Sequence, residues 1–273
     1  MAYAIVFISL PLLVSPSGNE FFRSALLRLL LLFFTVGLII GAAVYLDKRP
    51  VRGYGLEISR GWMFDLLAGV VIGGMIPAVA VSLGVVGGWI AVVEPRFSLT
   101  ASYLRKIWLS VVTIIGIAVV EELVFRGYVL TNAIEGLDLR WMSETMTIAV
   151  AWSISAVLFA ITHPAPTLVD GLHFLSAGLL LGLAYLASGQ LGLPIGIHAG
   201  FNFVSGHVFP IASDPSVTVI SLSVSGPTWL TGQSGLIQTG LLIPAALGML
   251  GFLWWRTDRL GISPDIRSKL KNK

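Results

Sequence analysis

Two adjacent glutamates and an arginine stand in segment 118–130, AVVEELVFRGYVL, which is otherwise apolar. In a membrane-spanning helix each charge would cost roughly 2.5–3.5 kcal/mol on insertion scales, so such residues usually serve a function. Glu122 and Arg126 are four residues apart with the acid first, which favours an ion pair on one helix face. Glu121 points about 100° away and has no basic partner in its own helix. A free carboxyl of this kind suits a general base, although all three residues could instead form a structural network between helices.

A histidine and an asparagine are spaced one helical turn apart in PIGIHAGFNFV. The spacing puts His198 and Asn202 on one face, where an imidazole and a carboxamide can both donate hydrogen bonds to a developing oxyanion. The alternative is a polar clamp between helices, for which membrane bundles often use these residue types.

Three further histidines differ in their surroundings. His163 ends AVLFAITHPAP, with Phe159 one turn earlier and Pro164 next, so we expect it at a helix terminus. His207 is nine residues past His198, and His173 is placed near a loop edge, so we expect structural or surface roles for both. Ser205 beside His207 is a weak candidate for a serine nucleophile, because the partners of such a pair normally meet across the fold.

The elements that must position these residues are apolar runs. Of the 273 residues, 56% are hydrophobic and 11% charged, where soluble domains carry about 25% charged residues. Runs near the 20 residues needed to cross a bilayer are 24–46, 63–93, 107–130, 146–162, 172–188, 191–209 and 236–256. A shorter run, 3–14, lacks the features of a cleaved signal peptide and could be a half-inserted helix or a full span. We expect an all-α polytopic transmembrane helical bundle of about 7–8 spans with an intramembrane catalytic cavity, forming a single integral-membrane domain over 1–273.

The charges outside the runs indicate an orientation. The C-terminal tail carries six basic residues, and such a tail is predicted to be cytoplasmic. They are Arg256, Arg259, Arg267, Lys269, Lys271 and Lys273. Counting back from the tail makes loop 47–62 cytoplasmic and loop 94–106 external, although the second loop is also basic. The tail charges are dispersed without aromatic residues, so no nucleic-acid partner is expected.

Residue types that are missing exclude several kinds of chemistry. The chain has no cysteine, which excludes disulfides, a thiolate nucleophile and cysteine-ligated metals. The zinc-protease motif His-Glu-x-x-His is also absent. Glu121, His163 and His198 nevertheless form a possible His₂Glu zinc set with an open position.

Three ordered motifs carry a family resemblance: Glu121-Glu122-x-x-x-Arg126, Phe159-x-x-x-His163 and His198-x-x-x-Asn202. Together, over about 107–209, they resemble the CAAX prenyl protease 2 type, within the CPBP (Abi) family of intramembrane glutamic endopeptidases. The resemblance implies that Glu121 and His163 activate a water and that His198 and Asn202 stabilise the oxyanion. Glu122 and Arg126 would hold the site together, and Phe159 would pack beside it.

The resemblance implies peptide-bond hydrolysis in the membrane without a metal or other cofactor, and the family name points to release of the C-terminal tripeptide of a prenylated protein. Its partners would be membrane lipid and a peptide or lipidated protein C-terminus, at the cell membrane. The alternatives are a zinc-dependent protease, a non-catalytic immunity or scaffold protein of the same family, and a transporter or proton relay.

The depths of the site residues in their runs disagree. If residues 130, 191 and 146 end their runs on the same side of the membrane, distances from them can be compared. Glu121 then lies about 13 Å deep and His198 about 10 Å deep, but His163 lies about 25 Å deep. We nonetheless expect the four side chains to converge on one cavity.

Overall fold

A computed structural model describes residues 18–211 and 217–270. The predicted run 3–14 and the basic residues Lys271 and Lys273 lie outside the described residues. The prediction of an all-α polytopic bundle is confirmed. In the described part, six helical segments are long and apolar enough to cross a membrane: Ala25–Leu46, Arg60–Val86, Ala101–Gly136, Glu144–Ile161, Leu168–Ser188 and Thr228–Thr257.

Helices of 12 to 27 residues form the bundle, and shorter helices lie in the connections between them. The α-helices are α1 (Gly18–Gly41), α2 (Arg60–Val86), α3 (Ala101–Glu122), α4 (Thr131–Gly136), α5 (Glu144–Ile161), α6 (Leu168–Ser188), α7 (Gly192–Phe203), α8 (Thr228–Thr231), α9 (Leu236–Thr257) and α10 (Pro264–Arg267). A 3₁₀ turn covers Val51–Tyr54, and π-helical segments cover Ala42–Leu46, Leu123–Leu130 and Val204–Val208. The π segment Leu123–Leu130 joins α3 to α4 without a break.

Hydroxyl side chains begin several of these helices. Each accepts a hydrogen bond from a backbone N–H of the first turn, which satisfies a donor that the helix itself cannot. The caps are Ser59 for α2, Thr100 for α3, Ser143 for α5 and Thr167 for α6. At α6, Asp170 completes a capping box.

A small sheet departs from the predicted spans. The run 63–93 does not form one long helix: α2 ends at Val86 and the chain turns into strand β1 (Ile90–Pro95). This strand pairs antiparallel with β2 (Ile220–Val224), with a register shift between Val92 and Glu94. Because Val and Ile suit both helices and strands, the apolar run concealed the change of structure.

Contacts between connections define two ends of the bundle. At one end, which we name the tail end, Lys269 Nζ donates to Gly53 O over 2.7 Å and Leu191 N to Gly55 O over 2.9 Å. The opposite end carries the β1–β2 sheet and is named the strand end. Loop 47–62 and the C-terminal segment therefore share one end, and loop 94–106 lies at the other.

The predicted run 191–209 forms a short buried helix. Every residue of Gly192–Gly200 is buried. α7 and its π segment begin beside Gly55, and His207 O accepts the backbone N–H of Val219 next to the sheet. At about 1.5 Å per residue this path covers roughly 25 Å, from the tail end to the strand end.

Glycines bring α2 and α7 into backbone contact. A Cβ added at Gly73 would lie 1.9 Å from Ile197 O, and one at Gly196 would lie 2.1 Å from Leu66 O. Glycines at such positions let membrane helices approach closely. The opposite face of α7, which carries His198 and Asn202, is thereby fixed toward the other helices.

Candidate active site

One cavity of about 200 Å³ collects the predicted catalytic side chains. Its wall includes Glu121, His163, His198 and Asn202, together with Phe159. Glu121 comes from α3, Phe159 from the end of α5, His163 from the residues just after it, and His198 and Asn202 from α7. Residues of α2, α6 and α9 complete the wall.

Glu121 faces two imidazoles. Its Oε2 lies 3.6 Å from His163 Nε2 and 3.8 Å from His198 Nε2. The Glu121 side chain is 13% exposed, and Oε2 is buried without a hydrogen-bond partner in the described part of the chain. A buried carboxylate oxygen rarely lacks a partner, so this atom has the capacity to bind a water or a substrate group.

Glu122 lies at the centre of a buried ion network. Its Oε1 accepts hydrogen bonds from Arg126 Nη1 and from His198 Nδ1, each over 2.9 Å. The side chains of Glu122 and Arg126 are both 0% exposed. The expected pair of Glu122 and Arg126 is present, and it also anchors the imidazole of His198 on α7.

The Arg126 guanidinium makes two further contacts with neighbouring helices. Its Nη2 donates to Gly178 O on α6 over 3.1 Å, and its guanidinium carbon lies 4.5 Å from the centre of the Phe159 ring. Stacking on an aromatic face stabilises a buried cation. Phe159 therefore supports both the guanidinium and, at 4.4 Å between ring centres, the imidazole of His163.

The π-helical segment after Glu122 is tied to the neighbouring helix. Ser155 Oγ on α5 donates to Phe125 O over 2.8 Å. Segments of this kind occur often at functional sites, where they reposition side chains and free backbone carbonyls. Here the segment begins directly after the paired glutamates and carries Arg126.

His163 follows the end of α5, as Pro164 predicted. α5 ends at Ile161, and His163 Nδ1 lies 2.8 Å from Phe159 O, to which it must donate. The ring stacks on Phe174 of α6 at 4.6 Å between centres. In a neutral ring this bond leaves Nε2, the nitrogen that faces Glu121, as a hydrogen-bond acceptor.

The disagreement in depth disappears because the Glu121 helix is longer than its apolar run. It continues to Gly136, which puts Glu121 about 22 Å from the tail-end terminus rather than about 13 Å. His198 reaches the level of the paired glutamates, since its Nδ1 lies 2.9 Å from Glu122 Oε1.

His173 is a polar cavity residue that sequence reasoning missed. It lies within α6, is 3% exposed and lines the cavity, with Nδ1 3.1 Å from Thr239 Oγ1 on α9. The expected place near a loop edge was therefore wrong. Thr167 and Asp170 form the spacing of a capping box, which could have placed His173 inside a helix.

The remaining candidates from the sequence are the Ser205–His207 pair and a metal site. Ser205 and His207 do not line the cavity, and Gln233 donates to Ser205 Oγ over 3.5 Å. Within residues 18–211 and 217–270, no group of three or more His, Asp or Glu side chains has the arrangement of a metal site. Both His163 and His198 nevertheless turn Nε2 toward Glu121 Oε2.

Residues 103–204 match the family model described as "Rce1-like: Type II CAAX prenyl endopeptidase Rce1-like". The match confirms the resemblance carried by the three motifs, and all seven motif residues fall inside it. No curated protein and no solved structure matches the chain significantly. This segment is thus similar to a protease family, and the described part of the chain has six candidate membrane spans.

Proposed function

We propose that the protein, whose residues 103–204 carry this CAAX prenyl endopeptidase domain, is an intramembrane endopeptidase in which Glu121 and His163 activate a water. The proposal is carried by Glu121 Oε2, which is buried, has no hydrogen-bond partner among the described residues and faces His163 Nε2 across 3.6 Å in the cavity. One water can hydrogen-bond both atoms at ordinary distances of about 2.7–3.2 Å.

The two residues would orient and deprotonate that water. One O–H donates to His163 Nε2 and the other to Glu121, which leaves a lone pair for the substrate carbonyl carbon. As the C–O bond forms, the proton passes to Glu121 and the carbonyl π electrons move to the oxygen. When the C–N bond breaks, Glu121 returns the proton to the leaving amine, as a group serving as base and then as acid does.

His198 and Asn202 would stabilise the oxyanion. With Glu121, Glu122 and Arg126 all ionised, a protonated His198 would make the buried cluster neutral. A protonated ring donates Nδ1–H to Glu122 and keeps Nε2–H for the oxyanion. Asn202, one turn along α7 and on the same cavity wall, would supply the second donor.

The proposed substrate is the C-terminus of a prenylated protein, from which the enzyme releases a tripeptide. The family description names this substrate class, and membrane-spanning helices surround the cavity. The test uses an internally quenched peptide in which a prenylated cysteine is followed by three C-terminal residues. It is compared with the same peptide without the prenyl group. Preference for the prenylated peptide supports the assignment, whereas equal cleavage of both rejects the lipid requirement.

Substitutions separate the enzyme from a non-catalytic membrane protein. Glu121→Ala and His163→Ala should each abolish cleavage by purified protein that elutes as a folded species. His207→Ala is the matched control, because it removes a histidine outside the cavity. Cleavage at the wild-type rate in both cavity variants would reject the enzyme, and proton-coupled flux in proteoliposomes would favour a transporter instead.

A zinc-dependent protease is the second candidate, because Nε2 of both His163 and His198 faces Glu121 while each Nδ1 is hydrogen-bonded. That pattern is also found in zinc ligands with outer partners. Dialysis against a chelator distinguishes the two mechanisms: the metal-free proposal requires full activity afterwards, and loss of activity restored by zinc would replace it.

We further propose a cell-membrane location with the C-terminus in the cytoplasm, following the basic residues of the tail end. The cysteine-free chain allows single-cysteine labelling with a membrane-impermeant maleimide in intact cells. Leu99→Cys at the strand end should react, and Arg259→Cys at the tail end should react only after lysis. The reverse pattern would invert the orientation.

A further inference from the structure

His173 is a buried polar residue that the proposed mechanism does not use. It stands on the α6 wall of the cavity, where the other contributions are apolar or aromatic: Phe174, Ala177, Leu180 and Leu181. The groups proposed for the chemistry all come from α3, α7 and the chain after α5. A peptide in the cavity would therefore contact both these groups and the α6 wall that carries His173.

The hydrogen bonds fix the orientation and tautomer of this ring. The Thr239 hydroxyl lies 3.0 Å from Gly235 O, to which only the hydroxyl can donate, so its oxygen accepts from His173 Nδ1–H over 3.1 Å. The ring is also packed near Phe174 and Phe201, with ring centres 5.6 and 5.7 Å away.

The surroundings keep the ring neutral. In the described residues His173 forms no ion pair with a carboxylate, and Asp170, one turn earlier, is engaged by Thr167 N and Thr167 Oγ1 in the capping box. A buried charge without a partner is costly, so the imidazole stays uncharged. Its Nε2 then carries a lone pair and is a hydrogen-bond acceptor.

We infer that His173 is a substrate-binding residue, whose Nε2 accepts a hydrogen bond from a backbone N–H of the peptide and so positions the chain in the cavity. This inference rests on the proposed endopeptidase function and extends it. A hydrogen-bond acceptor in an apolar wall favours a peptide that has a free N–H opposite it. The bond to His173 replaces the hydrogen bond to water that this N–H loses on entering the cavity.

The test replaces substrate N–H groups one at a time. The prenylated, internally quenched peptide described above is made with an ester in place of each non-scissile amide in turn, and each is assayed with wild type and His173→Ala. At one position the ester should raise the wild-type KM about tenfold, the size expected for one buried hydrogen bond. His173→Ala should raise the KM of the all-amide peptide by a similar factor with kcat nearly unchanged. With this variant, the ester at the same position should not raise the KM any further.

Two variants separate binding from a structural role. His173→Gln keeps an acceptor and should recover part of the KM, whereas Thr239→Val leaves the ring without its anchor and should raise KM while kcat is kept. The Thr239→Val result also decides the matter if His173→Ala does not fold. Equal ester penalties in wild type and His173→Ala, or an unchanged KM in Thr239→Val, would overturn the inference in an active enzyme. Cleavage that does not depend on Glu121 would instead overturn the proposed function itself.

Discussion

The adjacent residues Glu121 and Glu122 provide a matched pair of substitutions with different expected effects on stability. Both become glutamine, which keeps the size of the side chain and removes its charge. Glu121→Gln removes the proposed base, whereas Glu122→Gln removes the anion that Arg126 and His198 share. The first should impair chemistry and spare the fold, and the second should impair the fold.

The magnitudes follow from burial. Arg126 is 0% exposed, and removing one member of a buried ion pair costs about 3–5 kcal/mol. The amide oxygen of glutamine still accepts a hydrogen bond, so we take about 3 kcal/mol, which corresponds to a fall in Tm of roughly 6–12 °C. Glu121 makes no ion pair with a guanidinium in the described structure, so Glu121→Gln should leave Tm almost unchanged. Loss of a general base should lower kcat by about 10²–10⁴.

Thermal unfolding in detergent and peptide cleavage, measured on the same preparations, test both halves. A Glu121→Gln protein that melts as early as Glu122→Gln would show that Glu121 is part of the structural network. A Glu122→Gln protein with the wild-type Tm would refute the energetic argument for the buried pair. Either result would require new roles for the two glutamates.

Three further predictions concern the oxyanion, the helix contact and the metal. Asn202→Ala should lower kcat about 10²–10³-fold with little change in KM in the cleavage assay, and an unchanged kcat would remove Asn202 from the oxyanion site. Gly73→Ala should lower both Tm and activity, because its Cβ would lie 1.9 Å from Ile197 O, next to His198; overpacking costs about 1–3 kcal/mol. Gly251→Ala, with nothing within 4 Å of the added Cβ, is its control, and equal melting of the two variants would contradict the packing argument. Activity should persist after exhaustive chelation, and metal analysis of the active protein should find less than one zinc per chain.

The motif residues could be placed from the sequence because they depend on local spacing. Glu122 and Arg126 share a face at any helical pitch near 3.6, and the π-helical segment between them does not separate them. Pro164 likewise marked the helix end before His163. The family-model match over 103–204 confirms the resemblance that these motifs carried.

Features that depend on partners distant in the chain were not predictable. The contact of His198 Nδ1 with Glu122 joins residues 76 apart, and the bond of His173 to Thr239 joins residues 66 apart. The strand Ile90–Pro95 is stabilised by β2, which follows more than a hundred residues later, so its apolar sequence alone predicted a helix. The predicted depth of Glu121 was wrong for a related reason, because α4 extends the Glu121 helix beyond its most apolar part.

Glu122 links the stability of the bundle to its chemistry. Because Nδ1 of His198 is committed to Glu122, Nε2 can donate to an oxyanion only when the ring is protonated. The anion of Glu122 favours that protonated state, and the neutral amide of glutamine would not. Glu122→Gln should therefore lower kcat as well as Tm, even at temperatures where the variant is fully folded. If kcat of the folded variant equals that of wild type, His198 does not act as a charged donor, and Asn202 must carry the oxyanion alone.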